Sequence, residues 1–125
     1  MRLLIIISLS LISGALYCQK KDFKAYDKAF KYFKKNNFDK SKDILIKIIE
    51  KNNNWEKPYL LLSNIYFIED DVFKSSELLL EVYDVNNIDD YEGIEKVANN
   101  FYKKGFYSEA LYYYNAVCKL DSSFC

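Results

Sequence analysis

Hydrophobic residues follow two patterns along this chain of 125 residues. The first is one continuous run. Arg2 gives a positive start, Leu3 to Ile12 is apolar except at Ser8 and Ser10, and Ser13, Gly14 and Ala15 follow. Charge, then a short apolar core, then small residues is the order of a secretory signal peptide, here over residues 1–18. The run falls short of the roughly 20 apolar residues that span a bilayer. Cleavage fits after Ala15 or after Cys18. Tyr17 stands where attachment of a lipid to Cys18 needs a small residue, which favours soluble export over lipidation; an uncleaved anchor is the remaining alternative.

From Asp22 onward, apolar positions are interrupted by short polar clusters. The pattern predicts helix pairs near 23–35 and 38–51, 57–69 and 72–85, and 91–104 and 107–120. Turns are expected at Asn36-Asn37, Asp70-Asp71 and Lys104-Gly105, residue types that cap or reverse a helix. Pro58 falls in a first helical turn, where its missing N–H costs little.

These pairs repeat. The segment from Ser41 to Asn53 matches the segment from Ser75 to Asn87 in chemical type at nearly every position, 34 residues apart. A third copy begins at Ala110, 35 residues after Ser75. Small residues open the second helix of each pair (Ser41, Ser75, Ala110) and sit midway along the first (Ala29, Ser63, Ala98). An aromatic follows three residues later, as Tyr32, Tyr66 and Phe101, and an apolar residue marks each turn, as Phe38, Val72 and Tyr107. Later core positions are Leu45, Leu79 and Tyr114, then Ile48, Val82 and Val117.

A helical hairpin repeated every 34 or so residues, with small residues at these places, resembles the tetratricopeptide repeat family. The resemblance covers residues 22–122, in copies of about 22–54, 56–88 and 91–122. Three features depart from the family pattern. Lys28 replaces the usual Leu, Ala25 replaces a bulky aromatic where the second copy has Tyr59 and Leu62, and the closing Pro is absent from all three copies.

The resemblance implies an all-α fold, a right-handed α-solenoid of three helix-turn-helix repeats, with the first helix of each on a concave face. Inward positions would be Phe23, Tyr26, Phe30 and Phe33, then Lys57, Leu60, Asn64, Phe67 and Ile68, then Glu92, Glu95, Asn99, Tyr102 and Lys103. Phe30 and Phe33 read rather as core between helices than as groove. The partner-binding candidates are Tyr26, Leu60, Asn64, Phe67, Asn99 and Tyr102, because amides can bond a peptide backbone and aromatics can stack on it. The carboxylate clamp of the co-chaperone type is missing: its positions hold Tyr26 and Phe30, Leu61, and Glu92 and Lys96.

Composition narrows the chemistry. Basic and acidic residues balance at 18 each, and the only arginine is Arg2, a poor endowment for nucleic acid. No histidine is present, which removes the commonest general base and transition-metal ligand. Asp84, Asn86, Asp90 and Glu95 have the spacing of a calcium loop, but Ile88 takes a ligand position and Asp89 replaces the turn glycine. Trp55, between copies, reads as a packing anchor. No catalytic, cofactor or metal site is expected, and no small-molecule substrate.

Export permits a Cys118–Cys125 disulfide; burial of Cys118 beside a loose Cys125 is the equal alternative. The expected role is a non-catalytic scaffold in the periplasm, cell envelope or medium, holding a protein or peptide and meeting a membrane only through its signal segment. The alternative is a structural module of a larger envelope assembly, associating through an uncapped last helix whose Tyr113, Val117 and Leu120 would be partly exposed.

Overall fold

A computed structural model describes residues 20–125. The expected signal segment lies outside the described residues. Those residues are all-helical, with no strand among them, and fall into two compact units divided after Asn52. The first holds α1 (residues 20–34) and α2 (Phe38–Lys51). The second holds α3 (Glu56–Ile68), α4 (Val72–Val82), α5 (Tyr91–Lys103) and α6 (Tyr107–Leu120), with 3₁₀ turns at Ile88–Asp90 and Ser122–Phe124. No helix among the described residues is long and apolar enough to cross a membrane.

Each hairpin turns by the same device. Asn36, Asp70 and Gly105 adopt φ of 59°, 64° and 85°, the left-handed region open to Gly and tolerated by Asn and Asp. The next residue then donates its N–H five residues back, to Tyr32, Tyr66 and Phe101 respectively, at 2.8–2.9 Å. This closes the orphan carbonyls of the first helix. In two hairpins that residue also caps the second helix: Asn37 Oδ1 accepts from Lys40 N–H and Asp71 Oδ1 from Lys74 N–H. In the third the residue is Phe106, which has no such oxygen.

The small residues act as spacers. Ala29, Ser41, Ser63, Ser75, Ala98 and Ala110 are all at most 1% exposed. Ser41 Oγ donates to the Ala29 carbonyl at 2.8 Å. Ser63 Oγ lies 2.9 Å from the Ser75 carbonyl and 2.8 Å from its Oγ. Side chains any larger would hold these helices apart and open voids that close-packed interiors do not tolerate.

The second unit's core gathers Val72, Leu79, Val97, Phe101 and Ala110, with Leu60, Phe67, Leu80, Tyr83, Tyr113 and Tyr114 packed against it. Tyr113 stacks on Phe101 at 5.7 Å and 3°, and Val117 is 2% exposed. Val117 therefore belongs to the core, contrary to the expectation that it is partly exposed, whereas Tyr113 and Leu120 are half-buried. Two expected helices, 38–51 and 107–120, have the observed bounds. α4 ends at Val82, three residues short of expectation, because Tyr83 turns extended. The loop that follows holds itself together: Asp90 Oδ2 accepts from Asp84 N–H, Asp84 Oδ1 from Asn86 N–H and Asn87 Oδ1 from Asp89 N–H.

Candidate binding surface

Five of the six expected binding residues fall in the second unit, all on the first helices of its hairpins: Leu60, Asn64 and Phe67 on α3, Asn99 and Tyr102 on α5. Tyr26 lies on α1 in the first unit. The residues differ in how far they are available.

Asn64 and Tyr102 are exposed, Tyr102 at 59%. The Tyr102 ring tilts against Tyr107 at 5.4 Å, so two exposed aromatics stand together at the end of this hairpin. Leu60 and Phe67 are half-buried and brace the core. The Lys104 ammonium sits 4.5 Å over the Phe67 ring and pairs with Asp70 at 2.5 Å, joining the turn after α3 to the end of α5. These two residues are packing groups with one accessible edge rather than free anchors.

Asn99 is held from within. The half-buried Tyr114 hydroxyl donates to its Oδ1 at 2.5 Å, a bond that engages the amide oxygen and not the N–H groups. Burial chiefly, then the negative charge of Glu95 and the neighbouring Tyr102, raises the Tyr114 phenol above its ordinary value. On α1, Tyr26, Phe30 and Phe33 form a ladder of rings 6.1–6.4 Å apart, extended to Phe38 of α2 at 5.9 Å. Burial, then Asp27, raises the Tyr26 phenol.

Sequence reasoning missed one apolar patch. Tyr107, Leu111 and Tyr112 on α6 are 60–65% exposed. The i, i+4 spacing of Tyr107 and Leu111 was its signal, hidden because their neighbours Tyr113 and Tyr114 look alike in sequence and turn inward.

Among the described residues no group of His, Cys, Asp or Glu is arranged to hold a metal ion. No family model matches the chain, and no curated protein matches it in sequence.

Proposed function

We propose that this protein is a non-catalytic scaffold, an exported right-handed solenoid of three tetratricopeptide-type repeats that holds a protein or peptide on the first helices of its hairpins. The observation that carries the reading is the exposure of both Asn64 on α3 and Tyr102 on α5, positions where the resemblance places the binding face. An exposed amide on one helix and an exposed aromatic ring on the other suit an extended peptide, one bonding its backbone and the other covering it. The left-handed turn residue shared by three hairpins and the repeated small-residue spacers support the repeat architecture. Asn99 adds its amide N–H groups, while Leu60, Phe67 and Tyr26 add apolar edges.

Selection of binders from a displayed peptide library tests it. Selected peptides should lose at least about tenfold in affinity to Asn64→Ala and to Tyr102→Ala, and nothing to Asn115→Ala at an exposed position of α6. A library that yields no peptide sensitive to Asn64 and Tyr102 sinks the reading.

The exposed Tyr107, Leu111 and Tyr112 favour a second reading, assembly through α6. Light scattering distinguishes it: the protein would be an oligomer that Leu111→Lys converts to a monomer.

A further inference from the structure

Two clefts open beside equivalent positions of the first and second hairpins, and they differ in size. In the second unit, Trp55, Glu56, Tyr59, Glu81 and Val82 line a cleft of about 160 Å³. The residues 34 positions earlier are Lys21, Asp22, Ala25, Lys47 and Ile48, and these line a cleft of about 370 Å³ between α1 and α2.

The excess volume is a missing core side chain. Tyr59 and Leu62 are 8% and 3% exposed in the second hairpin, and Ile94 and Val97 are fully buried in the third. At the same places the first hairpin has half-exposed Ala25 and exposed Lys28. A methyl group and a solvated ammonium leave the Ile44 and Ile48 wall without the aromatic that closes it in the second hairpin.

Charge changes along with shape. Lys28, Lys47 and Lys51 stand at the cleft with Lys21, against one carboxylate, Asp22. Where Lys47 and Lys51 lie here, the second hairpin has Glu81 and Val85. The balanced formal charge of the whole chain hides a sharp division. Residues 20–52 hold eleven lysines against five acidic groups, and residues 53–125 hold six lysines against thirteen.

We propose that this cleft of the first unit is a binding site for an acidic peptide segment carrying an aromatic side chain. The ring enters where Ala25 leaves room, against Ile44 and Ile48, and flanking carboxylates meet Lys28, Lys47 and Lys51. Tyr59 fills the equivalent place in the sister hairpin, and an apolar wall within a basic rim selects a ring flanked by negative charge. The volume lies at the small end of ordinary ligand pockets, roughly 300–1,000 Å³. The site is separate from Asn64 and Tyr102 and stands whether or not those residues bind anything.

The probe is a fluorescent heptapeptide of three aspartates on each side of one phenylalanine, titrated into the purified protein at low and at moderate salt. Saturable binding is expected. It should weaken at least about tenfold when the probe's phenylalanine becomes alanine, and at least about tenfold in Lys47→Glu, Lys51→Glu. The pair Ala25→Tyr, Lys28→Leu copies the second hairpin, so it should raise Tm while abolishing binding. Binding that ignores the phenylalanine or survives the plug would reveal mere attraction to lysines and overturn the proposal. A plugged protein less stable than the wild type would do the same, since Ala25 would then not be a vacated core position. Self-association abolished by the plug would place a second copy in the cleft and refute the foreign peptide.

Discussion

The ring of Tyr83 lies on the α-carbon of Gly93, so close that a β-carbon there would overlap Cγ, Cδ1 and Cδ2 of the tyrosine. Tyr83 is also where α4 leaves the helical conformation, at φ −112° and ψ 130°. The two facts have one cause. Ending α4 early swings the ring onto the first turn of α5, and only a residue without a side chain leaves room for it. Burial, then the carboxylates of Glu56 and Asp90, raises the Tyr83 phenol, as a hydroxyl set among apolar groups and acids requires.

This contact reverses the usual sign of a helical substitution. Replacing Gly by Ala in a helix ordinarily stabilises by up to about 1 kcal/mol. Gly93→Ala should instead destabilise by about 1–3 kcal/mol, because the atoms it strikes are near the root of the tyrosine and cannot swing clear cheaply. In a Tyr83→Ala background the same change should regain its stabilising sign. Denaturant midpoints of the four proteins measure it, and a Gly93→Ala protein more stable than the wild type would disprove the close approach.

The three turns make a second prediction. Gly105 has φ 85°, and a β-carbon there would meet nothing within 4 Å, so only backbone conformation opposes substitution. Asn36 and Asp70 already occupy the equivalent place. Gly105→Asn should therefore cost less than about 1 kcal/mol, and Gly105→Val distinctly more, since β-branched residues resist this region most. Equal losses in thermal melts would mean that the turn does not set the tolerance.

Much of the fold was legible in sequence because it depends on local chemistry that recurs. Small residues at Ser41 and Ser75 and turn formers at Asn36 and Asp70 mark where helices approach and reverse, and both are readable from spacing alone. The early end of α4 was not legible from Tyr83 itself, since a tyrosine continues a helix readily; the clue was Gly93, ten residues on. The repeat marked Tyr114 as an inward position, but its bond to Asn99 was hidden, because alignment with Leu45 and Leu79 predicts an apolar contact and names no partner for a hydroxyl. The vacated cleft at Ala25 was visible as a departure from the repeat, but its basic rim needed the second helix in place.

Cys118 and Cys125 are joined in a disulfide with Cα atoms 5.6 Å apart, which decides between two readings the sequence left open. The 3₁₀ turn between them brings the tail back: Asp121 Oδ1 accepts from Ser123 N–H at 3.0 Å and Ser123 Oγ at 2.7 Å. Those bonds hold the Asp121 carboxyl below its ordinary value. A loop this short contributes about 2.4 kcal/mol through the unfolded chain. Reduction should speed hydrogen exchange in the tail after Asp121 and leave α3, α4 and α5 protected. Loss of protection throughout the second unit would show that the bond supports the core as well.

The Tyr114–Asn99 pair ties stability to alkaline pH. The folded protein holds the Tyr114 phenol above the ordinary value near 10. A group whose value is raised by folding contributes its full stability below the unfolded value and loses it as pH climbs through the folded one. Tyr114→Phe removes the hydroxyl and should cost about 1 kcal/mol near neutrality, the usual worth of a half-buried hydrogen bond. Phenylalanine cannot ionise, so the gap between wild type and variant should shrink above about pH 10 and close as the tyrosine loses its proton. Denaturant unfolding of both proteins at neutral and alkaline pH reads this directly. A gap constant across that range would mean that the phenol titrates as it does in the unfolded chain, and that Asn99 is not held by it.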